Sequence, residues 1–143
     1  MNEQTFLYGF FAIAINTIIL QIAMPVFHIQ AESGGLLKLV LQLPFLKSLS
    51  FLHSKIFSVL FHFMVGFSMV WLYHILFAKR ACTKPFIKGI LFSFIPWLLN
   101  SAIVLPLLHQ GFAGHQIISV AGMMYFFIAN LLFGLMLGIF IRT

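Results

Sequence analysis

Few of the 143 residues are suited to acid–base, nucleophilic or metal chemistry near neutral pH: six histidines, one cysteine and two acidic residues. The two carboxylates, Glu3 and Glu32, sit at opposite ends of the first apolar run, so the paired carboxylates of glycosidic or aspartyl chemistry are missing. Cys82 has no histidine beside it to activate a thiolate, and a lone cysteine forms no internal disulfide. No glycine-rich phosphate loop is present. What remains is histidine. His28, His53, His109 and His115 fall outside or at the ends of apolar runs, where neutral imidazoles that converge can hold Zn²⁺ or Cu²⁺. They lack the H-x-x-x-H or H-E-x-x-H spacing of a helical metal site, and Glu32 is the sole nearby carboxylate, so bound metal is not expected. Without converging, they would still gain charge as their compartment acidifies, because imidazole titrates near about 6.5. His62 and His74 lie inside a run but on one helix, with no facing histidine to complete a haem ligand pair. No cofactor is expected.

The elements that must position these groups follow from composition. The chain is 62% hydrophobic and 7% charged, with a mean hydropathy of +1.11, whereas a soluble domain is about a quarter charged. Four apolar runs, at 6–27, 56–77, 89–108 and 117–141, each reach the roughly 20 residues needed to cross hydrocarbon. None contains Asp, Glu, Lys or Arg, so the intramembrane carboxylate of a small cation exporter is absent. The expected fold is all-α: one polytopic transmembrane domain over 1–143, a compact four-helix bundle.

Lys79, Arg80, Lys84 and Lys88 crowd one short loop, with Arg142 on the same side of a four-span chain. That side is expected to be cytoplasmic, which puts both termini inside. Lys38, Lys47 and Lys55 oppose the bias from the other face. The net charge of +6 therefore reads as topology signal and lipid headgroup contact, not nucleic-acid binding. Between the first two spans, a turn at Glu32, Ser33, Gly34 and Gly35 precedes an apolar stretch over 36–52, interrupted at Pro44 and dotted with Lys38, Gln42, Lys47 and Ser48. This predicts an interfacial helix, with a re-entrant dip as the alternative.

Within the spans, small and polar residues recur at helical spacing. Span one carries Gly9, Ala12, Asn16 and Ala23, with Thr17 on the flank; span two carries Ser58, His62, Gly66, Met69 and Tyr73. Span three carries Gly89, Ser93, Trp97 and Ser101, beside Pro96 and Asn100; span four carries Gly122, Asn130, Gly134 and Gly138. In lipid, helices associate through close backbone approach and interhelical hydrogen bonds, so these stripes are expected to face one another. Gly134 and Gly138 form a G-x-x-x-G, read as internal packing in preference to homodimerisation. Asn16, Asn100 and Asn130 lie near mid-span, where paired amides would fix helix register.

At about 1.5 Å per residue, Gln21, His62 and Asn100 lie at similar depth, six, six and eight residues from the outer ends of their spans. Gln21 falls round the helix from the span-one stripe. With Ser101 and Tyr125 these residues define a candidate ligand pocket; the plainer expectation pairs His62 with Gln21 or Asn100.

From His62 onward the chain resembles a known group. His62-Phe63-Met64-Val65-Gly66, Tyr73, Lys88-Gly89, Pro96-Trp97-Leu98-Leu99-Asn100, Val104-Leu105-Pro106-Leu107, the loop glycines Gly111 and Gly114, and Gly134-Leu135-Met136-Leu137-Gly138 resemble small four-helix bacterial inner-membrane proteins, loosely YagU-like. The resemblance implies a four-span fold in a bacterial inner membrane and transfers no activity. The expected function is a non-enzymatic integral membrane protein, free-standing or an accessory subunit of a larger complex. Its partners would be lipids, with a second copy or another membrane protein left open. The competing expectation is a small-ligand, metal or proton-responsive protein working through His62 and the outer-face histidines.

Overall fold

The computed structural model describes residues 3–29, 35–44, 46, 49–78 and 84–141. The turn at Glu32, Ser33 and Gly34, the polar pair Lys47 and Ser48, the basic loop Lys79 to Thr83 with Cys82, and Arg142 lie outside the described residues. The chain is all-α, with four long apolar helices suited to crossing a membrane and a short helix between the first and second. The long helices are α1 (Glu3–Phe27), α3 (Lys55–Phe77), α4 (Pro85–Leu107) and α5 (Val120–Phe140); the short one is α2 (Gly35–Leu41). Successive spans run antiparallel. One end of the bundle, holding Phe27, Lys55, Leu107 and Val120, is the α2 end; the other holds Glu3, Phe77, Pro85 and Phe140.

Local sequence explains where the helices begin. Ser54 caps α3, its hydroxyl accepting from Phe57 N–H at 3.1 Å, and Ser119 caps α5, accepting from Gly122 N–H at 3.2 Å. Pro85 opens α4, where its missing N–H costs nothing. Within the spans, Thr17 donates to Ile13 O at 2.8 Å, Ser68 to Met64 O at 3.0 Å and Ser93 to Ile90 O at 2.7 Å. Hydroxyls in a medium without water are thereby satisfied by their own helix.

α4 and α5 form the tightest seam, α1 packs on α5, and α3 packs on α1. In the α4–α5 seam the backbones nearly touch: a Cβ on Gly134 would collide with Gly89 O and stand 2.7 Å from Ser93 Cβ, and one on Gly138 would meet Pro85 O and the Gly89 backbone. The G-x-x-x-G is thus consumed within the chain. The seam between α1 and α3 is filled by side chains instead, with Gly9 against Val70 and Gly66 against Ile13. Asn16 Nδ2 donates across to Ala129 O at 2.9 Å, tying α1 to α5. Asn130 turns back on its own helix and donates to Phe126 O at 2.8 Å. The buried core gathers Ile13, Val70, Tyr73, Phe92, Phe133 and Leu137 toward the end opposite α2. Outward faces carry large exposed side chains such as Ile56 at 76% and Val120 at 71%, as lipid-facing surfaces require.

Two features depart from simple helices. Pro96 has no N–H for the carbonyl one turn back, and directly after it α4 widens into π turns over Leu99–Val104, where Leu105 N–H reaches Asn100 O. α3 likewise finishes in π turns over His74–Ala78. Among the described residues between α1 and α3, the α-helix covers seven, stopping before Pro44, and a 3₁₀ turn follows at Ser50–His53. α2 also does not lie apart from the bundle. Gly35 and Leu37 are buried, Lys38 is exposed, and a Cβ on Gly35 would stand 3.2 Å from Asn100 Oδ1 and 3.4 Å from Val104 Cγ1. Its first turn is tucked against the π stretch of α4.

Candidate functional site

α3 and α4 meet at the end opposite α2 through rings: Tyr73 and Phe92 at 5.2 Å, Phe77 and Phe92 at 5.8 Å, both edge-on. Toward the α2 end the two helices stand apart, and a cavity of about 180 Å³ fills the gap. The stripe on α3 faces it: Ser58, His62, Gly66 and Met69 all line the wall. α1 contributes Asn16, Thr17 and Gln21, α4 contributes Pro96, Leu99 and Asn100, and α5 contributes Phe126, Asn130 and Phe133. The first turn of α2, through Gly35, Leu36 and Leu37, lines the cavity at the α2 end. His62 lies seven residues into α3 and Asn100 seven from the end of α4, so both sit about 10 Å below the α2 end.

Of the five residues the sequence nominated for a pocket, the structure brings three to one wall: Gln21, His62 and Asn100. Gln21 is exposed at the cavity margin, consistent with its position round α1 from the buried stripe. Ser101 and Tyr125 are elsewhere. Ser101 is fully buried and its Oγ has no partner among the described residues. Tyr125 donates to Ile19 O at 2.6 Å and packs near Phe27, fastening α5 to α1. The π turns explain Asn100 and Ser101: widening the helix after Pro96 presents Asn100 and Val104 to the cavity and leaves Ser101 behind them.

Among the described residues, no hydrogen bond engages the side chains of Ser58, His62 or Asn100. The pairing of His62 with Gln21 or Asn100 does not form. Asn16 and Asn130 each spend one amide N–H on a carbonyl, whereas the side-chain amides of Asn100 and Gln21 make no hydrogen bond among the described residues. Sequence reading placed Asn16, Thr17, Ser58 and Asn130 on stripes but not in the pocket. Their spacing marked the face correctly, but the gap between α3 and α4 has no signature in spacing.

His28, His53, His109 and His115 are all exposed. Among the described residues no three histidine, cysteine or acidic side chains lie close enough to share a metal ion. Two of these histidines serve the backbone. His109, at φ 60°, ends α4 with its N–H on Pro106 O at 2.9 Å while Gln110 N–H reaches Leu105 O at 3.0 Å, the pattern of a left-handed helix cap. His28, at φ 53°, turns the chain out of α1. His115 Nδ1 lies 3.1 Å from Phe112 O, over a loop whose Gly111 and Gly114 take φ of 74° and 76°.

Fold and cavity together define an integral membrane protein with four candidate spans and, between two of them, a largely apolar chamber into which a few uncharged polar side chains project among the described residues. No protein-family model, no curated protein and no solved structure matches the chain. The resemblance to the YagU-like group gains no support from these comparisons.

Proposed function

We propose that the chain is a non-enzymatic, multi-pass protein of a bacterial inner membrane that holds a small uncharged ligand in the chamber beneath α2, either alone or as an accessory subunit. One observation carries this reading: Ser58, His62 and Asn100 line a cavity at membrane depth and find no protein partner among the described residues. A polar group without a hydrogen bond in an apolar medium costs several kcal/mol, so a bound molecule or water completes them. Among the described residues the wall has no Lys, Arg, Asp or Glu, which argues for a neutral occupant. Catalysis would need a nucleophile hydrogen-bonded to a base, and Ser58 and His62, four apart on one face of α3, make no such bond among the described residues.

The inner-membrane assignment rests on the resemblance of the sequence from His62 onward and on the positive-inside bias of Lys84 and Lys88 with their basic neighbours, which places the α2 end outside. The ligand reading is tested by mass spectrometry of small molecules extracted from the purified protein. A neutral compound is expected near one per chain, and lost from His62→Ala and Asn100→Ala. A wild-type protein that yields no bound small molecule would overturn it, as would a compound retained equally by folded His62→Ala and Asn100→Ala proteins. Orientation is tested in a Cys82→Ser background: Lys84→Cys should react with an impermeant thiol reagent only after the membrane is opened, and Gln116→Cys without opening. Equal reaction of both would remove the four-crossing topology.

A further inference from the structure

We infer that the chamber is entered sideways from the bilayer and that its occupant is a prenyl quinone-type lipid, its uncharged ring in the chamber and its isoprenoid tail leaving between α3 and α4. The inference rests on the ligand reading above and gives it a chemical class. Three observations converge. The first is the route in. The helices pack in the order α3, α1, α5, α4, and α3 and α4 are the least engaged neighbours, with Tyr73 and Phe77 meeting Phe92 edge-on at the end opposite α2. Leu99 lines the cavity and is also 36% exposed, eight residues from the end of α4 at Leu107, about 12 Å along the helix. Leu98 at 45% and Ile103 at 54% are exposed without lining the cavity, so this stretch of α4 runs along the boundary between cavity and acyl chains. On the water side, α2 covers the cavity where Gly35 meets Asn100, Val104 and Leu105.

The second observation is the chemistry of the wall. Ser58, Asn100 and Gln21 can all donate, as can the ring N–H of His62, and none of the four carries a formal charge in its ordinary neutral form. Such a wall suits carbonyl oxygens, which accept and never donate. It suits a phosphate or an amine poorly, because neither finds an opposite charge. Phe61, Phe126 and Phe133 supply the apolar faces against which a flat ring stacks. The third is size. An engineered apolar cavity of about 150 Å³ takes up benzene, so about 180 Å³ admits one substituted six-membered ring and excludes a sugar-phosphate head. A tail must then remain outside the chamber, which the gap at Leu99 allows.

The test uses the full chain in nanodiscs of zwitterionic lipid, titrated with decylubiquinone and, separately, with its tail-less dimethoxy-methyl-benzoquinone ring. Binding is read as a saturable rise in thermal stability, and organic extracts of the freshly purified protein are assayed for quinone by chromatography. Decylubiquinone is expected to saturate and to bind at least tenfold more tightly than the ring alone. His62→Ala and Asn100→Leu should each weaken it about tenfold. Leu99→Trp, which narrows the mouth on the lipid side, should weaken the tailed compound by a factor at least five times larger than any it imposes on the tail-less ring. Native extracts should contain about one quinone per chain. Equal binding of both compounds, untouched by Leu99→Trp, would overturn entry from the bilayer and leave the small-ligand reading standing. No quinone binding, but a different neutral molecule in the extracts, would overturn the quinone class alone. No bound molecule of any kind would remove both readings.

Discussion

The α4–α5 seam and the α3–α4 gap sit on two sides of the same helix and are built from opposite materials. Along the seam, Gly89, Gly134 and Gly138 remove side chains altogether, and the two backbones close until a single added carbon would strike a carbonyl. Along the gap, α3 and α4 present a mixture in which Gly66, Met69 and Leu99 stand beside Ser58, His62 and Asn100, and rings meet farther along where Tyr73 and Phe77 pack edge-on against Phe92. Lipid gives helices little reason to associate through apolar area, so backbones close where glycines oppose one another, as Gly89 does Gly134 and Gly138, whereas Gly66 on α3 is packed against Ile13 of α1. α4 switches between these behaviours at Pro96. Before it, the helix is regular and fits α5; after it, the π turns re-aim Asn100 and Val104 at the cavity.

That contrast fixes how substitutions should rank. Gly134→Val carries the largest effect, because its new carbons meet Gly89 O and the Ser93 backbone, neither of which can swing away. A loss of about 3 kcal/mol in unfolding from mild detergent is expected. A loss below about 1 kcal/mol would show that the seam yields as readily as the gap. Asn16→Leu removes one bond across the α1–α5 interface, to Ala129 O, and should cost about 1 kcal/mol in the same assay. Asn100→Leu has the smallest effect on folding. Its amide has no protein partner to lose among the described residues, so ligand-free stability should stay within about 0.5 kcal/mol of the parent or rise. A drop comparable to that of Asn16→Leu would mean Asn100 holds the helices and does not face a chamber.

The spans and their buried faces were legible in the sequence because hydrophobic length and helical periodicity are local properties. The run at 6–27 is matched by Glu3–Phe27, that at 56–77 by Lys55–Phe77, and the stripe Gly9, Ala12, Asn16, Ala23 is buried throughout. The chamber was half legible. His62 and Asn100 were found from depth, which counts residues along a helix. Ser101 and Tyr125 were drawn in by the same count, although whether a residue at the right depth faces a cavity depends on rotation. Rotation on α4 is set by the π turns, and a proline at mid-span signals a disturbance without giving its direction. The position of α2 was out of reach for another reason: seven residues have too little periodicity to say which neighbour they rest on.

The emptiness of the spans in formal charge has one more consequence. The stretches 6–27, 56–77, 89–108 and 117–141 contain no Asp, Glu, Lys or Arg. A membrane voltage acts on moving charge, at about 2.3 kcal/mol per elementary charge per 100 mV, so with His62 neutral the bundle offers the electric field nothing to pull. Whatever rearrangement parts α3 from α4 should proceed alike in an energised cell and in a depolarised one.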